Sequence, residues 1–448
     1  MSLLRDEHPH SGHAGDTIPI QPGGGGRQRI RDRTGRRLNH HRHPYTRAVD
    51  LDPIILPVLG DAARNGIDAD PFLEGARPEA IYAHVPFCRH KCHYCDFYSI
   101  VDHRDRSGDF TARFEQEARS VAERIDGRAI RTAFVGGGTP TILAPSELER
   151  VLGAVRSLAD GASLDEFTVE ANPETVDDGI ARALVGSGVD RVSIGCQSFD
   201  PRHLLTLERH HDPASVPRAI THLREAGIQR VSLDLIFGIP GSTLEDWRRD
   251  LDTALALEPD HLSCYGLVFE PGTALDERRR RGRIEPIDDA LEAEMFELTR
   301  ERLSGEDFEH YEISNWARPG ERSAHNLVYW NLGDWVALGP AGAGNLGGVR
   351  YRNIPRLEEW LAGAGTSRIV DVERPEASLA VGERFMLGLR LRDGIHRGEV
   401  DRLLREDPAR RATVDEFLAT GALEWMGDGL RISEGSLMTA DAVLSRLI

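Results

Sequence analysis

Six short apolar runs alternate with amphipathic segments between residues 79 and 300, and this rhythm predicts an α/β fold. A second observation supports it: the glycine-rich and polar motifs follow the runs at one end only. Alternation of this kind implies parallel strands joined by right-handed crossovers, in an open or closed barrel. Such folds bind ligands beyond the C-terminal ends of their strands.

The predicted strands are Ile81–Val85, Thr132–Val135, Phe167–Val169, Arg191–Ile194, Val231–Ile236 and His261–Leu267. Helical periodicity fills the gaps at Phe110–Arg124, Pro145–Leu158, Asp178–Ser187, Pro213–Ala226 and Thr243–Leu257. Pro145-Ser146-Glu147-Leu148 reads as a helix start, and Ser242 with Glu245 has capping-box spacing. Gly188 and Gly227 read as stops.

The first strand leads into Cys88, Cys92 and Cys95, three of the five cysteines in the chain. Three soft thiolates at CxxxCxxC spacing suit an iron–sulfur cube with one iron left open for chemistry. A zinc site with His84, His90 or His93 as fourth ligand is the competing assignment, although no second CxxC knuckle exists. Lys91, inside this loop, is the only lysine.

Each later strand brings its own polar group to the same rim. Gly136-Gly137-Gly138-Thr139-Pro140 exposes backbone to a small ligand, or simply turns the chain. Glu170 ends the third strand and suits the hydroxyls of a ribose, or an ordinary salt bridge. Gln197, Arg209 and Asp234 stand in, at or beyond strand ends, with Arg209 suited to a ligand carboxylate. Cys196 and Cys264 sit among apolar neighbours and read as small core residues.

The flanking regions differ. Residues 1–50 carry Gly23 to Gly26 and His40, His41 and His43 with few large apolar groups, and are expected to be a disordered tail, followed by a lead-in at 51–78. The core is expected over 79–300 and a C-terminal domain over 301–448. That domain opens with an aromatic block, HYEISNW and His325–Trp330 (HNLVYW), and ends in helices, a hairpin at Leu423–Ile432 and a last helix at Ala440–Leu447, a winged-helix-like order. A net charge of −18 argues against general nucleic-acid binding. There is no apolar run of about eighteen residues to span a membrane and no apolar signal-peptide segment. Exposed thiolates fit a reducing cytosol.

Together, YAHVPFCRHKCHYCDF, FVGGGTP, VEANP, GCQSF, DLIFGIPG, HLSCYGLVFEPGT, YEISNWARPG and HNLVYW resemble the radical S-adenosylmethionine (SAM) superfamily. Within it they resemble the oxygen-independent coproporphyrinogen III oxidase family, from Glu79 onward. The resemblance implies a partial (β/α)6 TIM-like barrel in which Cys88, Cys92 and Cys95 hold a [4Fe–4S] cluster. By the same resemblance, Tyr82, Tyr94, Gly137, Gly138, Thr139, Glu170, Gln197, Arg209 and Asp234 surround SAM. The decarboxylating branch carries a fourth cysteine where this chain has Phe97, which points instead to the heme chaperone (HemW-type) branch. The implied partners are heme, acceptor hemoproteins and, if SAM is cleaved, an electron donor such as a flavodoxin or ferredoxin. His325 is the expected heme contact, with packing of the C-terminal region onto the barrel as the other role for its block. Cys196 and Glu208 depart from the family pattern, which usually has an aliphatic residue and often glycine there.

Overall fold

Strands that alternate polar and apolar residues, each followed by an amphipathic helix, bury both faces at once. The computed structural model describes residues 66–161 and 163–448. The expected tail and the lead-in up to residue 65 lie outside the described residues. The strands, in chain order, are β1 (Ile67–Asp68), β2 (Ala80–Val85), β3 (Thr132–Gly137), β4 (Glu166–Ala171), β5 (Arg191–Gln197), β6 (Arg230–Phe237) and β7 (His261–Gly266). There follow β8 (Glu309–Glu312), β9 (Asn315–Ala317), β10 (Trp335–Leu338), β11 (Ala343–Leu346), β12 (Val349–Asn353) and β13 (Arg368–Glu373), and last β14 (Ile395–His396), β15 (Leu423–Met426) and β16 (Gly429–Ile432).

β2 to β7 pair in sequence order, all parallel, and β10 adds a further parallel strand beside β2. β11, β12, β13 and β1 continue antiparallel on that side, as β9 and β8 do beside β7. β2 and β7 do not pair, so the barrel is open. All six predicted core strands are present. Beyond residue 300 the sheet continues, and β10 is a parallel neighbour that the broken rhythm there concealed.

One strand face packs under the helices. Val135, Val169, Ile194, Leu233 and Leu262 join Phe114, Leu152, Leu184, Leu223 and Leu251 in one buried core. Cys196 and Cys264 belong to it as well. Burying a side chain of this size is worth about 1.5–3 kcal/mol. The helices Ser107–Ala122, Pro145–Ser157, Asp178–Gly186, Ser215–Ala226 and Leu244–Leu255 match the predicted segments. One start is corrected: Thr243 caps the last of these, its Oγ1 accepting from the Asp246 amide at 3.1 Å. Ser242 instead donates its amide to Ile239 O in the preceding turn, which holds it out of the cap.

The other strand face is polar and needs internal partners. Glu166 of β4, fully buried, accepts from Ser323 Oγ (3.2 Å) and from the amides of Ala324 (2.8 Å) and His325 (3.3 Å). It thereby binds the first turn of helix Ala324–Trp330, whose exposed N–H groups favour a carboxylate. His261 joins the same floor through Ser232 Oγ and Tyr311 OH, both at 2.8 Å. The C-terminal segment has the predicted order: helices Arg397–Leu403 and Pro408–Thr420, the β15–β16 hairpin and helix Ala440–Leu444.

Glu166→Ala would leave these buried donors without an acceptor. It is expected to lower stability by about 3–5 kcal/mol in urea unfolding, with Glu166→Gln recovering part of the loss.

Candidate functional site

A cavity of about 400 Å³ opens at the C-terminal ends of the parallel strands. The loop after β2, and for each of β3 to β7 the C-terminal end of the strand or the loop that follows it, contribute to its wall, so the sheet curls around it. Cys88, Cys92 and Cys95 line it, half-buried and free of disulfides. The loop is tied down by the Cys88 amide on Ile100 O (2.9 Å), the Cys95 amide on Cys92 O (3.2 Å) and Lys91 Nζ on Phe97 O (3.2 Å).

Two sulfurs receive donors from the opposite wall. Thr139 Oγ1 donates to Cys88 Sγ and Arg209 Nη1 to Cys92 Sγ, each at 3.7 Å. Contacts of this kind orient and tune metal-bound thiolates. Burial pushes the Cys95 thiol up to about 11; a metal binding here has to compensate the thiolate charge it requires.

The spacing of the sulfurs bears on which metal fits. Tetrahedral zinc with bonds of about 2.3 Å would hold thiolates about 3.8 Å apart. Among the described residues, no metal-ligating group of three with atoms within 4.8 Å of one another contains the cysteine triad. No histidine completes a compact site either. His84 is engaged at both nitrogens, by Tyr82 OH (2.9 Å) and Tyr98 O (2.8 Å), and burial lowers it to about 4. His93 Nδ1 accepts from Arg278 at 3.3 Å, and the His90 ring stacks on His210. Three thiolates that do not all lie within 4.8 Å of one another fit the corners of a multi-iron cluster better than one tetrahedral zinc.

The remaining wall follows from strand geometry. Gly137 has φ +100, and a Cβ there would lie 2.3 Å from His84 Cε1, so only glycine fits. The amides of Gly137, Gly138 and Thr139 are spent on Glu170 Oε2 (3.0 Å), Val85 O (2.8 Å) and Phe87 O (2.7 Å). The turn therefore does not offer those three N–H groups to a ligand. At the end of β5 a bulge after Gly195 leaves Cys196 unmatched, and Gln197 lines the cavity with φ +64. Gly195 makes room for Arg209, since a Cβ there would lie 2.9 Å from Nη2. Arg209 is locked by Gly195 O (2.8 Å), by His211 Nδ1 (3.3 Å) and by Asn172 Oδ1.

Tyr94, Gly137, Gly138, Thr139, Glu170, Gln197, Arg209 and Asp234 all line the cavity. Tyr82 lies outside its wall, bonded to His84 and stacked at 6.4 Å on Phe134. Asn172, Ser193 and Tyr265 line it without having been singled out in the sequence. Two of them had a signal: Asn172 stands two residues after Glu170, just beyond β4, and Ser193 alternates with Gly195 and Gln197 along β5. Phe97, 64% exposed, and Val268, 61% exposed, give the mouth an apolar edge.

His325 stands elsewhere, on the floor. It is fully buried, with Nδ1 on Thr132 Oγ1 (2.9 Å) and Nε2 on Tyr329 OH (2.6 Å), and it stacks at 5.3 Å on Phe134. Burial and nearby Arg191 lower it to about 3. In this arrangement neither nitrogen is free for iron, and the block does pack the C-terminal region onto the barrel.

Burial, then the charge of Asp234, pushes Glu170 up to about 7 against the pull of the Gly137 amide. Its folded pKa exceeds the unfolded value, so its contribution is fully present below about 4.5 and is lost as pH rises through about 7. Glu170→Gln is expected to reduce the fall in stability across that window in pH-dependent urea unfolding. The fall is not abolished, because buried Glu117 is also pushed up to about 7.

The radical SAM superfamily model matches residues 82–254. The heme chaperone HemW of Mycobacterium tuberculosis is 38% identical over 378 residues, which cover 83% of this chain and 95% of that protein. HemW of Lactococcus lactis is 33% identical, covering 71% and 83% of the two chains. Among solved structures, coproporphyrinogen III oxidase (HemN) from Escherichia coli, described as a radical SAM enzyme, is similar in fold. It has a TM-score of 0.70 at 17% identity over 84% of this chain and 91% of that one. The order of the parallel strands, the cysteine loop at their C-terminal rim and this similarity agree: the chain belongs to the radical SAM superfamily and, within it, to the family of the HemW heme chaperones.

Proposed function

We propose that the chain is a heme chaperone that carries a [4Fe–4S] cluster and SAM and passes heme to acceptor hemoproteins in a reducing, cytosolic setting. The observation that carries this reading is the pairing of the three-cysteine cavity with Phe97. A decarboxylase of the resembling family has a cysteine there; here an exposed apolar ring stands at the cavity mouth.

In this reading Cys88, Cys92 and Cys95 hold the cluster, and Thr139 and Arg209 steady two of the sulfurs. With the Gly137, Gly138 and Thr139 amides occupied, carbonyls of that turn receive the ammonium of SAM. Glu170 accepts from the ribose hydroxyls, and Gln197, Asp234 and Tyr94 complete the wall. Arg209, already charged and fixed, balances the thiolates and the ligand carboxylate. A bound cluster would supply one-electron chemistry to SAM; if SAM is cleaved, a flavodoxin or ferredoxin is the matching donor. The protein positions the ligand and keeps out water.

His325 enters this scheme through a second conformation. Ligation of heme iron requires helix Ala324–Trp330 to leave the floor, which breaks the bonds to Thr132 and Glu166 and frees His325 Nδ1, while the Tyr329 bond lies within the helix. The same movement would bare the Tyr329 ring, a flat surface for a macrocycle.

Anaerobically reconstituted protein is expected to bind heme with a saturable Soret band, and Cys92→Ser to lose iron and sulfide. His325→Ala should weaken heme binding about tenfold, which is about 1.4 kcal/mol; an unchanged band and affinity would leave His325 as a floor residue only. Catalytic formation of protoporphyrinogen from coproporphyrinogen III with SAM would favour the decarboxylase instead.

A further inference from the structure

Among the described residues, outside the cysteine triad, three groups of His and carboxylate side chains bring ligating atoms within 4.8 Å of one another. Two have ordinary explanations. In the first, Asp200 and Asp246 are already matched by Arg202 and Arg249, and Asp246 also closes the helix cap at Thr243, although His203 Nε2 has no hydrogen-bond partner among the described residues. Asp178, His222 and Glu225 lie near the surface, where the His222–Asp178 pair satisfies itself at 2.5 Å.

The third group, His90, Glu208 and His210, differs. His90 lies between Cys88 and Cys92, and Glu208 and His210 flank Arg209, so the group spans two loops at the cavity rim. His90 Nε2 is a buried atom with no hydrogen-bond partner. Among the described residues, Glu208 has ion-pair distances only to imidazoles, His210 at 3.3 Å and His93 at 3.7 Å. Its backbone sits at φ +54, a region that costs a non-glycine residue energy. A strained residue whose carboxylate has only imidazoles for company is poor design for a salt bridge and good design for a ligand.

We propose that His90, Glu208 and His210 form a second metal site, which takes a zinc-type divalent cation. Two imidazoles and one carboxylate are a familiar ligand set for such ions, with a fourth position left to water. Bonds of about 2.0 Å in a tetrahedral site place ligand atoms about 3.3 Å apart, and Glu208 Oε1 and His210 Nε2 are 3.3 Å apart already. The His90 and His210 rings, stacked at 4.3 Å with 18° between their planes, turn out of that stack to aim one nitrogen each at the ion. The ion clasps the cysteine loop to the loop that carries Arg209, and so holds the Arg209–Cys92 contact in place from the solvent side. This site stands on its own geometry and does not depend on heme.

Full-length protein, reconstituted with iron and sulfide under anaerobic conditions, is dialysed against micromolar zinc and its metals are counted. Wild type is expected to retain about one zinc more per chain than His210→Ala or Glu208→Gly, at equal iron and sulfide. Zinc should also raise the melting temperature of wild type and not of the variants. Glu208→Gly relieves the backbone strain, so loss of zinc there cannot be put down to misfolding. The tail histidines are common to all three proteins and cancel. Equal zinc in wild type and both variants would overturn the proposal, as would zinc that declines only in step with iron.

Discussion

The structure depends on one constraint: the parallel strands turn a polar face inward, and every group on that face needs a partner. An apolar lumen would have packed without direction. A polar one is stable only where donors and acceptors meet. At the floor the protein meets the demand itself, through Glu166 against the Ala324 helix, His261 between Ser232 and Tyr311, and His325 between Thr132 and Tyr329. At the rim the demand is met in part. Asp234 is held by Ser193 at 3.1 Å, yet burial still raises its pKa. Among the described residues Glu170 has only the Gly137 amide. The same alternation along β4, β5 and β6 thus makes a sealed base and a receptive top.

Shape at the rim is set by what small residues allow. Gly137 lets β3 close over His84, and Gly195 lets Arg209 cross the end of β5 to reach the cysteine loop. The arginine is thereby a strut from its own loop to the cysteine loop, the loop after β4 and the end of β5, with His211, Cys92, Asn172 and Gly195 each holding one part of it. Substituting either glycine changes the cavity by moving a neighbour rather than by removing a ligand contact.

Much of this was legible in the sequence, for physical reasons. Strands buried on the helix side read as apolar runs, so β2 to β7 stood out, and their rim motifs marked the cavity. What remained hidden was long-range or conformational. β10 is only four residues long, and its partner β2 opens the six-strand core about 250 residues earlier, so no local period announces it. Thr243 outcompeted Ser242 for the cap because a turn had already claimed the serine amide. The occupied nitrogens of His325 depend on Thr132, far away in sequence. Glu208 was visible as an oddity of composition, but its left-handed backbone shows why glycine suits that position.

The placement of β10 also governs how the chain can assemble. β2 and β3 leave the ribosome early, and one edge of β2 then has no neighbour until residues 335–338 have been made. An unpaired parallel edge invites pairing with another chain. Closing so distant a contact is slow, and vectorial synthesis exposes the intermediate meanwhile. The second half of the protein therefore acts, during biogenesis, as the shield for the first.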